Sequence, residues 1–307
     1  MQKTLEIDKT QWIFIHTPDR ESINKLAQEY DFHETIVDNI LWVNAQSKID
    51  TSGNHFFLAL TFTKYLQEQT KYAFNELDVI IGDNHIITTI GIESQTLNKV
   101  YEDIAKESDI IDGSYKSSPY YILYRIIDAF YNKTIKSLAV SSERLLDIQT
   151  DIGNRGEDVI DELITEDLNK IFIKHNFLSQ QEIIGDLIDH VHSLHEKHLT
   201  IYFNNLKTKL SKITRTINIL SEKNDSLMSA YNTFIGIRNN KSITRLTFIN
   251  SIFMPLTVIA GIGGMSERTG ITGGPKNYRI AYPLFILLCL AIAYITYLLL
   301  RKYFMKK

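Results

Sequence analysis

The chain has 307 residues, 33 Lys and Arg against 36 Asp and Glu, and a formal charge of −3, so it lacks the basic excess that would point to a nucleic-acid partner. Its single cysteine, Cys289, can form no internal disulfide and fits a reducing compartment. The near-neutral total conceals a division: residues 1–120 hold 19 acidic and 10 basic side chains, about −9, which leaves about +6 for the rest.

The opening MQKTLEIDKTQW has no apolar core of signal-peptide length, which predicts that the residues before the apolar end, roughly 245 of them, stay in the cytoplasm. Residues 1–118 then alternate β-type runs with helical stretches: WIFIHT, the helical ESINKLAQEY, HFFLALTFTKYL, and AFNELDVIIGDNHIITTIG. Within the last of these, Gly82, Asp83 and Asn84 separate two apolar, β-branched runs and predict a tight hairpin. The expectation is an α/β cytoplasmic domain over 1–118.

From Ser118 the signal changes to long helices, forming a helical stalk over 119–245. Pro119 opens a helix that runs to about Ile152, NRGED (154–158) turns it, and a second helix starts near Val159. A third begins near His198 and meets no breaker before the membrane. Along it Phe203, Leu206, Leu210, Ile213, Ile217, Leu220, Leu227, Tyr231 and Phe234 alternate at spacings of three and four, interrupted once by Asn224. A repeat of 3.5 residues means a packed, left-handed seam.

Two apolar runs follow, 246–264 and 280–300, each of the roughly 20 residues needed to cross a bilayer. The loop 265–279 joins them and a basic tail, 301–307, ends the chain. Arg238, Lys241 and Arg245 precede the first span, and Arg301, Lys302, Lys306 and Lys307 follow the second. This bias places both termini in the cytoplasm of a multi-pass protein and the loop outside. The first span differs from the second in carrying polar groups. Ser229, Thr233, Gly236, Asn240, Ile243, Thr247, Asn250, Met254, Thr257, Gly261 and Gly264 share one face by the same alternation, and most are small or polar. Asn250 and Thr257 at bilayer depth favour a wettable, pore-lining face over close helix packing alone. Pro255 frees a carbonyl and predicts a kink beside Met254, an apolar constriction.

FMPLTVIAGIGGM followed by a short loop and a second span resembles the membrane end of CorA-type magnesium channels. DFHETIVDNILWVNAQSKID and YYILYRIIDAFY are similar to segments of the same family's cytoplasmic part. The resemblance implies a funnel-shaped homopentamer in the inner membrane of a prokaryote, a pore lined by the first span, lipid around the second, and no covalent cofactor. A divalent cation, Mg²⁺ or one of Zn²⁺, Co²⁺ and Ni²⁺, would be both cargo and regulatory ligand between subunits. The family's mouth motif is Tyr-Gly-Met-Asn, whereas this chain has Gly263, Gly264, Met265 and Ser266, with Glu267 next. Mg²⁺ is best recognised through its water shell by well-placed oxygens. A serine hydroxyl is shorter than an asparagine amide, so the ring should be wider and less selective. Loop residues Arg268, Lys276 and Arg279 against Glu267 also lower cation density at the entrance.

One further cluster is DHVHSLHEKH, where His192, His195 and Glu196 share a helical face and Asp189 completes a possible zinc set. The plainer reading is a solvated connection between helices. No phosphate-binding glycine loop, nucleophile elbow or Cys/His framework is present, so an enzyme is not expected. The alternatives to a magnesium channel are a transporter of zinc or another transition metal similar to the ZntB branch, with or without proton coupling, and a non-conducting membrane sensor or scaffold.

Overall fold

The structure is a computed structural model that describes residues 2–42, 47–66, 71–111, 115–153, 158–194, 197–264 and 278–304. It divides into two compact units, Met1–Ser229 and Ala230–Lys307.

The first unit is built on a six-stranded mixed sheet. Its strands are β1 (Gln2–Ile7), β2 (Thr10–His16), β3 (Lys48–Ser52), β4 (His55–Leu66), β5 (Lys71–Ile81) and β6 (His85–Ile90), in spatial order β1-β2-β6-β5-β4-β3. Only β2 and β6 run parallel; every other neighbouring pair is antiparallel. The β5–β6 hairpin is the one expected from the sequence, closed by Gly82 N–H donating to the His85 carbonyl at 3.1 Å. A Cβ at Gly82 would stand 2.2 Å from the His85 ring, so any side chain there would displace that ring.

Both faces of the sheet are covered. Helices α1 (Arg20–Tyr30) and α2 (Glu34–Leu41) lie on one, burying Ile23, Leu26, Ile36 and Ile40 against Ile13, Ile15, Phe57, Ile80 and Ile87. Alternation along each strand puts these sheet residues on a single face. Asp19 caps α1 by accepting from Ser22 N–H at 2.7 Å, and Asp31 ends it in the left-handed conformation at φ 56°. The other face takes α3 (Gln95–Ile111), through Trp12 and Tyr101 rings 5.2 Å apart. It also takes α4 (Pro119–Asp151), through Phe62 stacked on Phe130 at 4.3 Å, and α5 (Asp158–Ser193), whose Gln180 amide donates to the Thr61 carbonyl. Strand β1 and helix α3 were not singled out in the sequence.

The long helix α6 (Lys197–Gly264) starts in this unit. Its heptad seam is buried from Phe203 through Leu227. Tyr124 of α4 meets Phe203 at 6.3 Å, Lys209 pairs with Asp128 and with Asn132 Oδ1, and Gln181 of α5 donates to Thr214 at 3.3 Å. Asn224, the break in the apolar repeat, is buried as part of a polar network. Its amide donates to the Leu163 carbonyl at 3.2 Å and its oxygen accepts from Lys170 Nζ at 3.3 Å.

The second unit holds the distal part of α6 and α7 (Tyr278–Phe304). Phe248, Ser251, Ile252, Pro255, Leu256 and Ile259 of α6 are half-buried, as are Phe285, Cys289, Ile292, Ala293 and Thr296 of α7. Phe248 and Tyr297 meet edge to face at 5.9 Å.

Candidate pore helix and titratable sites of the head

The distal part of α6 presents three faces. One packs toward α7. A second is apolar and open, with Leu246, Ile249, Phe253 and Val258 all exposed. Between them runs the polar stripe: Asn240, Ile243, Thr247, Asn250, Met254, Thr257 and Gly261 are all exposed, so α7 leaves it uncovered. Among the described residues only α6 passes the length and apolarity test for a membrane-crossing helix, with a mean hydropathy of 1.5 over its most apolar window and none of that window buried.

Two of the stripe's neighbouring hydroxyls are satisfied by their own helix. Ser251 donates to the Thr247 carbonyl at 2.8 Å and Thr257 to the Phe253 carbonyl at 2.9 Å. Such back-bonding lets Ser and Thr sit in an apolar medium and tends to bend a helix. These two residues flank Pro255, which lies inside α6 and brings no N–H to the carbonyl four residues earlier. Thr257 is therefore compatible with lipid as well as with water, and the wettable character of the stripe rests chiefly on Asn250. Its amide has no hydrogen-bond partner among the described residues, and a primary amide left so in hydrocarbon costs several kcal/mol. Gly264 is the last residue of α6, and Met265, Ser266 and Glu267 lie outside the described residues.

The histidine-rich segment is divided by the fold. Asp189 and His192 are exposed on the last turns of α5, while His195 and Glu196 lie outside the described residues. Their neighbour His190 is occupied: it stacks on Phe56 at 4.3 Å and shares a 2.8 Å hydrogen bond with the Tyr120 hydroxyl. Its burial lowers its pKa. His198 stacks on Tyr115 at 5.5 Å. No group of three or more His, Cys, Asp or Glu side chains among the described residues is arranged to hold a metal.

Sequence reasoning passed over two titratable sites in the sheet. Asp78 is buried on β5, with one oxygen accepting from Thr89 at 3.0 Å and Oδ1 lacking a partner. Burial, with Glu76 nearby, pushes its carboxyl well above the usual range. Its signal was available: Asp78 is two residues from Ile80, on the inward phase of an alternating strand. The second site is a histidine pair at the hairpin end of the sheet, His55 and His85, with ring centroids 5.4 Å apart. Burial and the facing His55 imidazole lower His85 to about 4. No sequence signal joins these two, because β4 and β6 meet only through β5.

An α/β head carried on long helices, one of which continues into an apolar, polar-striped helix, defines the class: a membrane protein whose second unit is helical. The family model described as "CorA-like Mg2+ transporter protein" matches residues 8–302, and the chain belongs to that family. Its members are membrane proteins of magnesium and divalent-cation transport. Among curated relatives, the cobalt/magnesium transport protein CorA of Thermotoga maritima is 23% identical over 245 residues, covering 80% of this chain and 69% of that protein. Among solved structures, the complete CorA magnesium transporter of Methanocaldococcus jannaschii superposes with a TM-score of 0.78 at 13% identity, covering 99% of this chain and 93% of that one. The ZntB cytoplasmic domain of Vibrio parahaemolyticus gives 0.60 at 17% identity over 75% of this chain and 88% of its own.

Proposed function

We propose that five copies of the chain assemble around α6 into a channel that passes divalent metal cations across the membrane. Both apolar helices cross the bilayer, both termini are cytoplasmic, the loop 265–279 lies outside, and α7 faces lipid. Residues 1–118 form the cytoplasmic head and 119–245 the stalk. Asn240, Ile243, Thr247, Asn250, Met254, Thr257, Gly261 and Gly264 line the pore, and Gly264, Met265, Ser266 and Glu267 form its mouth. The observation that carries this reading is the unbroken α6, whose seam is packed within the first unit against α4 and α5 while its distal polar stripe is left uncovered. Five exposed Asn250 amides facing one another would hydrate a common axis; facing lipid they would be stranded. Membership of a Mg²⁺-transporter family supports the cargo class.

A transition-metal cargo such as Zn²⁺, Co²⁺ or Ni²⁺ is the second reading, favoured by Ser266 at the position where the family places Asn and by the basic loop. Ion flux into proteoliposomes decides between them, comparing Mg²⁺, Zn²⁺, Co²⁺ and Ni²⁺ across pH with Ser266→Asn alongside. The expected result is flux in the wild type and a gain of Mg²⁺ preference in Ser266→Asn. No movement of any ion through either protein, in particles shown to be pentamers, would make the chain a non-conducting sensor or scaffold.

A further inference from the structure

The outer face of α5 is apolar where none of the described residues covers it. Ile164, Leu168, Ile171 and Leu178 are 45%, 62%, 55% and 46% exposed. With His175 between the last two, they alternate at spacings of four and three, the repeat of a helix built to pack on another helix. The inner face of α5 is already used, since Leu163, Ile173, Phe177 and Ile184 are fully buried or nearly so. Toward its C-terminal end the outer face turns acidic, with Glu182 and Asp186 exposed.

The complement lies on α6 within the same unit. Ile219 is 53% exposed, and Lys212, seven residues before it and so on the same face, is exposed too. The internal register fixes the heights of these groups. Gln181 bonds to Thr214 and Lys170 to Asn224, so α5 and α6 run antiparallel. Glu182 is therefore level with Lys212, and residues 171–178 with Ile219. In a ring whose axis runs along these helices, rotation keeps every residue at its own height, so patches level within one protomer meet between neighbours.

We propose that the outer seam of α5 docks on α6 of the adjacent copy, Ile171 and Leu178 against Ile219 and Glu182 against Lys212. The contact is heterologous, joining two different patches, as a ring of five copies requires. It rests on the homopentamer reading above and specifies the surface that holds the cytoplasmic parts together. Burial of apolar groups drives the contact, and the flanking charge pair sets its register and, with Asp186, excludes a face-to-face pairing of two acidic α5 helices.

The test uses full-length protein with Cys289→Ser, carrying either Leu178→Cys or Ile219→Cys on differently tagged chains that are co-expressed and treated with a short bis-maleimide. The expected product is a cross-linked pair containing one chain of each tag, with no cross-link when either variant is expressed alone. A cross-link from Leu178→Cys alone would mean two-fold packing and overturn the proposal. So would the absence of any cross-link in particles that light scattering shows to be pentamers, and in that case the pentamer itself would stand. A monomer in light scattering overturns the pentamer first and the seam with it. Independently, Glu182→Lys should lower the salt concentration at which the ring dissociates, and adding Lys212→Glu to the same chain should restore it; failure of that rescue counts against the pairing.

Discussion

Replacing Asn224 with leucine would complete the apolar repeat of α6, yet the structure predicts a loss of stability. Two hydrogen bonds disappear. One is to the Lys170 ammonium, whose side chain is 1% exposed, and the other is to the Leu163 carbonyl. A bond to a buried charge is worth about 1.5–3 kcal/mol and a neutral one about 0.5–1.5. Against that combined loss of roughly 2–4.5 kcal/mol, burying a leucine returns about 1.5–3 kcal/mol. The net expectation is a destabilisation of about 0.5–1.5 kcal/mol, because the ion pair left to Lys170 is the long one with Glu166 Oε2 at 3.9 Å, with the charges of Asp167 and Asp225 acting on it besides. Lys170→Met added to Asn224→Leu removes the stranded ammonium, while Glu166 keeps Ser141 at 2.5 Å and Arg144 at 3.2 Å. The double variant should therefore be more stable than the two single effects predict when added. Thermal unfolding of the detergent-solubilised protein, followed by the emission of buried Trp12, measures all four corners of the cycle. A shift of about 2–4 °C per kcal/mol makes the coupling readable. Additivity within about 0.5 kcal/mol, or a stabilised Asn224→Leu, would refute the reasoning.

Asp78→Asn should raise the unfolding temperature by a few degrees at neutral pH, about 1 kcal/mol or more. A carboxyl whose folded pKa is raised loses stability as pH climbs above its unfolded value, and the amide keeps the Thr89 bond without that loss; an unchanged or lower midpoint at pH 7 would show that the ionised form is needed. For His85 the sign is reversed. Its folded pKa of about 4 lies below the ordinary 6.5. The unfolded state therefore binds more protons between those values, and stability should fall as pH drops from about 6.5 toward 4. His85→Gln should flatten that slope in melts at pH 7, 6 and 5, and an identical slope would move the pH dependence elsewhere. Met254→Ser should raise ion flux several-fold by wetting the constriction, and unchanged flux in a functional pentamer would remove Met254 from the gate.

The strongly periodic elements were legible in the sequence. The seam of α6, the hairpin around Gly82 and the start of α4 at Pro119 each follow from a local pattern, and the fold places them where that pattern indicates. Strand β1 escaped notice because QKTLEI is an edge strand whose exposed positions carry Gln2, Thr4 and Glu6, leaving a short and half-polar signal. Helix α3 was legible but passed over: GIES (91–94) breaks it from the hairpin, and Leu97, Val100 and Ile104, at spacings of three and four, mark its buried face. The stripe of α6 was visible as spacing, whereas the bond that satisfies the Thr257 hydroxyl within the helix was not. Asn224 was visible only as an interruption; Lys170, which explains it, is 54 residues away in the chain. Buried polar partners of this kind depend on tertiary pairing that no single window of sequence contains.

The parallel pairing of β2 with β6 bears on how the chain is made. Trp12 reaches Thr88 across 76 residues, so β1 and β2 have no place in the sheet until β6 has left the ribosome. Until then β2, with Trp12 and Phe14 that end fully buried, leaves its apolar side chains open to solvent. All six strands nevertheless precede α4 in the chain, and the apolar stretch of α6 follows much later. The sheet can thus close before the apolar stretch of α6 and all of α7 are made, so the apolar face of β2 is sheltered before the most hydrophobic segments emerge.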